Sequence, residues 1–510
     1  MNPNTADIVA KLWREAKTLQ GAGISIMHYV NELTYLLFLK MLEETGQTTL
    51  IPPAYSWTEL SKAEGGDQLR YYKKLLLDLG DPEIVHNPMV LAIFTDAITH
   101  LREPKDLKTL TTNIDKINWF TAREDGLGDM YEGLMQKVMS DTKSKAGQYF
   151  TPRALINSII RLIQPAPGEV IQDPATGTGG FLIAADRYIK DATDDLFKLS
   201  EDQGRFQRRQ AFRGHEWVPD TRRLCVMNML LHGIESLVGC EDSCAPQGET
   251  LGRADVILTN PPFNKMPGGV NRPDFTLTAG ERVGPMPFLE HAIRMLKPGG
   301  RCAIVMPDNI LFGDGLGTEL RRFLMVNCNL HTILRLPTGI FYAQGVKTNV
   351  MFFTRVTDKV YPANHKVQAT EAVWFYDLRT NMPSFGKTNA LTAGHFEEFE
   401  RLFGPDPKGG SVREEGGEAS RWRKLTREQI AARGDNLDWT WLRDESGDPE
   451  DKMTEPDEIA AAIMGHLRAA LEEIEGLDEE LDPAPQALSG KVGTGFPSDS
   501  AQDEPVEAAE

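Results

Sequence analysis

A chain of 510 residues, 41 % hydrophobic and 25 % charged, is long enough for two or three folding units and has the balance of a globular protein, which excludes a fibrous or wholly disordered polymer. It holds no run approaching about 18 apolar residues, so no membrane partner is expected. The net charge of −19 is concentrated in residues 444–510, where 20 acids face only Lys452, Arg468 and Lys491; that segment carries −17, and residues 1–443 carry −2. Nucleic acid therefore stays open as a partner, although a near-neutral body binds phosphate weakly by itself and a partner chain supplying positive charge is expected. The opening MNPNTADIVAKLWREAK lacks the basic-then-apolar pattern of a secretory signal, and Cys225, Cys240, Cys244, Cys302 and Cys328 form an odd set without CxxC spacing. A reduced, cytoplasmic protein with no metal centre is the expectation.

Residues 1–140 read as a helical domain. ISIMHYVNELTYLLFLKMLEE, QLRYYKKLLLDL and MVLAIFTDAITHL place apolar residues at three- and four-residue steps. Residues 141–355 change character. Helix ALINSIIRLI, the apolar run EVIQDPA, a glycine-rich turn and helix GFLIAADRYI are followed by strand-like AFRGHE, ADVILTNPP, GRCAIVMP, HTILRLP and TNVMFFTR. Strands alternating with helices predict an α/β fold, a doubly wound and mostly parallel sheet covered on both faces, with its regular part ending near Arg355. Residues 356–482 form an extension with one strand-like piece, AVWFYDLR, and a helix at about 456–481 whose stripe runs from Ile459 to Leu481. That stripe suits either a partner helix or the chain's own body. Residues 483–510, rich in Pro, Gly, Ser and acid, are expected to be a disordered acidic tail.

Two constellations point to chemistry. The first is Asp173-Pro-Ala-Thr-Gly177-Thr178-Gly179-Gly180, after a strand and opening a helix, with Glu216 closing the next strand. Glycines there let backbone approach a ligand, and Glu216 is placed to accept two ribose hydroxyls. By itself the turn is equally an ordinary strand–helix connection. The spacing does not fit a dinucleotide fingerprint, since the third glycine of GxGxxG is missing and Glu216 lies 43 residues past Asp173. An acid ahead of the glycines points instead to the S-adenosylmethionine variant of the fold.

The second is Asn260-Pro261-Pro262-Phe263 at the end of ADVILT. The amine of adenine is a poor nucleophile because its lone pair is delocalised into the ring. Two acceptors aimed at its N–H groups, the Asn260 side-chain oxygen and the Pro261 carbonyl on a stiff Pro-Pro backbone, favour the geometry that frees that lone pair. Phe263 offers a face for the base to stack on. No metal is required. Such an amine is unreachable inside a duplex, so the base must be flipped out, and Phe341 is a candidate second wall or, equally, a core phenylalanine.

Together, GQYFTPR, DPATGTGGF, NPPFN and LPTGIFYAQGVKTNVMFF resemble the modification subunits of type I restriction–modification systems, which are adenine-specific DNA methyltransferases; LWREAKTLQGAGISIMHYVNELTYLLFLKM, GDMYEGLMQK and YDLRTNMPSFGK extend the likeness over roughly residues 7–482. The resemblance implies that Gln148, Tyr149, Phe150, Thr151, Pro152 and Arg153 contact the methionine part of S-adenosyl-L-methionine. It places Asp173, Gly177, Thr178, Gly179 and Gly180 in the cofactor loop, Glu216 on the ribose and Asp242 on the cofactor's adenine. Asn260, Pro261, Pro262 and Phe263 become the catalytic motif, with Phe341 as the second aromatic of the base pocket. It further implies a class I methyltransferase sheet and double-stranded DNA as substrate. A separate specificity subunit would read the target for two modification subunits, its coiled region packed by the C-terminal helix, and a restriction subunit would complete the assembly. The alternatives are a self-sufficient DNA adenine methyltransferase, which needs a recognition domain of its own, and an RNA or protein-glutamine methyltransferase.

Overall fold

The computed structural model describes residues 8–14, 24–117, 119, 128, 130–135, 151–264, 269–282, 284–341, 346–366, 368–383, 385 and 389–443. Gln148, Tyr149, Phe150, the helix expected at about 456–481 and the tail 483–510 lie outside the described residues.

The N-terminal part is built around helix α1 (Ile26–Glu44), started by Ser25, whose hydroxyl accepts from His28 N at 3.2 Å, and buried without a break from Tyr29 to Leu42. A helix buried on every side needs a full jacket of neighbours. Helix α2 (Gly65–Leu79) supplies one, burying Leu69, Tyr72, Leu75, Leu76 and Leu79 while Lys73 and Lys74 stay exposed. Inside this packing the Glu32 carboxylate accepts from Tyr72 Oη at 2.8 Å and His100 N at 2.7 Å, and its burial pushes the carboxyl pKa up. The predicted helix MVLAIFTDAITHL is shorter than its periodicity suggests. It forms only α3 (Pro88–Phe94), capped at Thr95, and the chain turns away at Asp96, with φ 54°. The carbonyls of Ile93 and Thr95 are taken at 2.7 and 3.0 Å by the Arg223 guanidinium. That long-range bond outweighs local propensity. Helix α4 (Pro104–Asp115) completes the layer.

The rest is a sheet of eight strands: β1 (Ile171–Asp173), β2 (Phe212–Gly214), β3 (Ala254–Thr259), β4 (Leu296–Pro307), β5 (Cys328–Arg335), β6 (Thr348–Arg355), β7 (Ala372–Asp377) and β8 (Trp422–Thr426). Their order is β2-β1-β3-β4-β6-β5-β7-β8. Pairings β1–β2, β1–β3, β3–β4 and β5–β7 are parallel, β6 is antiparallel to both β4 and β5, and β8 is antiparallel to β7. The sheet therefore runs past Arg355, through two strands of the extension. Central strands show why both faces must be covered: β6 is buried at every position. Leu258, Ala303, Val305, Val350 and Phe352 pack into the core shared with the N-terminal helices, while the alternating Ile257, Cys302, Ile304, Met351 and Phe353 pack into a second core.

Helices α5 (Arg153–Ile163), α6 (Gly180–Thr193), α7 (Glu201–Arg209) and α8 (Pro219–Leu231) connect or flank β1 and β2. The chain leaves β1 for β2 on one side and returns to β3 on the other. That reversal is a topological switch point, and it opens a crevice beyond the carboxyl ends of the three strands. In the register, Asp173 is level with Gly214, and Gln172 with Ile257. The α/β, doubly wound expectation with a helical N-terminal part is met.

Candidate functional site

At that crevice the chain leaves β1 at Asp173, whose Oδ1 accepts from Ala175 N at 3.0 Å, and turns into α6. Gly177 and Gly179 take φ values of 53° and 84°, a conformation that favours glycine, and a Cβ on Gly179 would sit 3.0 Å from Cys225 Sγ. The turn is tied from outside: Asn228 Nδ2 donates to the Thr178 carbonyl at 3.0 Å, and Ser243 Oγ donates to the Pro174 carbonyl at 2.7 Å. Beyond β2, Glu216 accepts from Gly177 N and Val218 N, both at 2.9 Å. Burial pushes the carboxyl pKa values of Asp173 and Glu216 up to about 7 each, against backbone hydrogen bonds that pull both down.

One strand over, β3 delivers Asn260. Its Nδ2 donates to Thr151 Oγ1 at 3.1 Å, which orients the amide, and its buried Oδ1 has no hydrogen-bond partner among the described residues. Phe263 and Phe341 stand edge to face, with ring centroids 6.1 Å apart and planes at 81°.

A cavity of about 330 Å³ lies between these parts. Of the residues expected from sequence, it brings together Thr151, Pro152, Arg153, Asp173, Thr178, Gly180 and Asn260. Gly177 is joined to Glu216 beyond β2, Gly179 faces Cys225 and Met229 of α8, and Pro261 and Pro262 lead from Asn260 to the Phe263–Phe341 pair; none of these lines the cavity. Nor does Asp242, whose half-buried carboxylate accepts from Cys244 N at 2.8 Å. Sequence reasoning passed over Glu132, Asn228 and Phe385, which do line it. The available signal for Asn228 was an amide embedded in the apolar run LCVMNMLL.

The N-6 DNA Methylase family model matches residues 122–444. Across 95 % of this chain and 97 % of the relative, the sequence is 46 % identical to the type I restriction enzyme EcoKI methylase subunit of Escherichia coli strain K12. The chain belongs to the type I restriction–modification methylase subunits. The EcoEI methylase subunit of Escherichia coli is 33 % identical over 88 % of this chain and 93 % of that protein. Among solved structures, the EcoKI M protein matches at 43 % identity and a TM-score of 0.56, covering 94 % of this chain and 98 % of that one. A chain from a type I restriction–modification assembly matches at 26 % identity and a TM-score of 0.69, over 93 % and 98 %. The methylase subunit is thus an adenine-specific DNA methyltransferase. Among its described residues no helix is long and apolar enough to cross a membrane.

Proposed function

We propose that this methylase subunit holds S-adenosylmethionine across the turn from Asp173 to Gly180 and transfers its methyl group to N6 of an adenine flipped out of double-stranded DNA. Two such subunits would serve one specificity subunit that reads the target, with a restriction subunit joining the full assembly. The observation that supports this best is Asn260 Oδ1, a buried acceptor on the cavity wall whose amide is already oriented by Thr151. The residues present suit the cofactor: two carboxylates at adjacent strand ends, a glycine turn without Cβ obstruction, and a cavity that continues to Asn260. When bound, S-adenosylmethionine supplies a methyl group already activated on sulfur, so in-line positioning does most of the catalytic work. Glu216 accepts ribose hydroxyls; Asn260 Oδ1 and the Pro261 carbonyl accept the two N–H groups of adenine; Phe263 and Phe341 hold the ring.

This reading is tested by methyl transfer from radiolabelled S-adenosylmethionine to DNA, with and without the co-encoded specificity subunit. Label on adenine only with both chains is expected; label with this chain alone would mean that it reads its own target. Phe341→Ala is expected to slow transfer roughly 10- to 100-fold, the worth of one base-stacking contact, with the loss mainly in KM for DNA. A wild-type rate would leave Phe341 as a core residue only.

The raised carboxyls give a pH dependence. In the free protein they hold protons that the unfolded chain releases near its ordinary values of 3.8 and 4.5, so their contribution to stability falls as pH rises through about 7. Ribose hydroxyls donate to the ionised form, so ligand binding runs the other way. S-adenosylhomocysteine affinity is expected to fall by about tenfold in all between pH 8 and pH 6 for each proton that must leave a group titrating near 7, most of it below pH 7. Glu216→Gln should flatten the profile, and calorimetric titration across that range checks it. An unchanged profile in the variant would remove Glu216 from the binding site.

A further inference from the structure

The segment that carries Phe341 is held at both ends by one side chain from the extension. Arg379 follows β7, and its amide donates at 2.8 Å to the carboxylate of Asp377, the last residue of that strand. From there its guanidinium donates Nε to the Leu336 carbonyl at 2.9 Å and Nη2 to the Thr348 carbonyl at 2.8 Å. Leu336 follows β5 and Thr348 opens β6, so these are the points where the chain leaves the sheet toward Phe341 and returns to it. The same fork grips Asp308, one residue beyond β4, with Nη1 on Oδ2 at 2.7 Å and Nη2 on Oδ1 at 2.9 Å. Asn349 Nδ2 completes the hold, donating to Asp308 Oδ1 at 2.7 Å.

We propose that Arg379, braced on Asp308, is a positioning residue for capture of the target base: it fixes the segment that presents Phe341 and so sets where Phe341 stands against Phe263. The inference rests on the reading of Phe341 as a wall of the base pocket and adds to it what holds that wall. Connectivity supports it. The returning limb is pinned by backbone alone, since Asp308 N donates to the Lys347 carbonyl at 2.9 Å. The outgoing limb, at Leu336, is tied to Asp308 through Arg379. Phe341 stands only five residues past Leu336, with Gly339 and Ile340 between them on the cavity wall, so a shift at Leu336 reaches Phe341 directly. Chemistry supports it as well. Four guanidinium N–H groups are spent in fixed directions, a geometry that a lysine cannot copy. The side chains of the pair are 10 % and 17 % exposed. An ion pair so far removed from water adds little net stability after desolvation, so what it supplies here is position.

The test is a double-mutant cycle on radiolabel transfer to unmodified genomic DNA by the complex with the specificity subunit. Arg379→Lys keeps the charge and loses the fork, whereas Asp308→Asn keeps the shape and loses the charge. Each is expected to lower kcat/KM for DNA roughly tenfold, mainly through KM. S-adenosylhomocysteine affinity should stay within about threefold, which shows that the cofactor site is folded. In a Phe341→Ala background the same two changes should cost less than about twofold, because the ring they position is gone. Losses that multiply in that background would overturn the proposal. So would wild-type transfer by Arg379→Lys, or a fall in S-adenosylhomocysteine affinity as large as the fall in transfer, since Arg379 would then act only by holding the fold. Phe341→Ala transferring at the wild-type rate would overturn the base-wall reading and this inference with it. That outcome is read from the single variant, with Arg379 untouched, and is distinguishable from the others.

Discussion

Asn260→Ala is expected to lower methyl transfer by a factor on the order of 10² to 10³ or more, the usual consequence of removing one preorganised hydrogen-bonding group from a reacting centre, while S-adenosylhomocysteine affinity stays within about threefold. The split follows from geometry. Asn260 closes the β3 side of the cavity, whereas the turn, Glu216 and Arg153 belong to other elements and remain after the change. Alanine removes the side-chain acceptor proposed for the target amine and takes away the Asn260 donor to Thr151 Oγ1. Asn260→Asp is the informative companion. It keeps an acceptor in the same place, so it should retain more transfer than the alanine variant, although a carboxylate is held differently by Thr151. Radiolabel incorporation into DNA under single-turnover conditions measures the chemical step directly. Transfer at the wild-type rate by Asn260→Ala would sink the two-acceptor mechanism, whatever the cofactor affinity.

What could be read from sequence was whatever the backbone dictates locally. Glycines in DPATGTGG mark a turn because Gly177 and Gly179 need positive φ, and the prolines of NPPF end a strand because they cannot extend its ladder. Both features sit where the chain leaves a parallel strand, so their convergence at one crevice follows from the fold class. Partnerships made only by packing were out of reach. The pairing of Glu132 with Arg153, the Arg223 bonds that stop α3, and the Asp242 carboxylate turned toward Cys244 N all depend on neighbours distant in sequence or on loop geometry. Strand β8 was missed because WRKLT alternates weakly. It lies at the sheet edge, with Trp422 stacked on Trp374 at 5.1 Å and its lysine and arginine half exposed. An edge strand does not need the continuous apolar run that exposed β6 to view.

Gly214→Ala should separate the architecture of the cofactor turn from its chemistry. Gly214 ends β2 level with Asp173, and a Cβ there would lie 2.3 Å from Thr176 Cγ2 and 2.8 Å from the Asp173 carbonyl oxygen. The backbone cannot retreat, because the Gly214 carbonyl accepts from Gly239 N at 3.0 Å on its other side, and the Thr176 hydroxyl and amide are both committed to the His215 carbonyl. One added methyl group must therefore push the turn away from β2, taking Asp173 and the Gly177 amide that Glu216 accepts with it. Overpacking of this kind costs about 2–3 kcal/mol. For a chain of 510 residues the melting temperature should fall by roughly 2–3 °C. The larger effect is on binding: a loop displaced by even a few tenths of an ångström loses several contacts at once, and S-adenosylhomocysteine should no longer raise the melting temperature. Gly417→Ala is the control, since a Cβ there meets nothing within 4 Å, and it should leave both stability and ligand response unchanged. If Gly214→Ala melts and responds to ligand as wild type does, the turn is held by its own hydrogen bonds alone, and the close contact of β2 with Thr176 has no role in shaping the site.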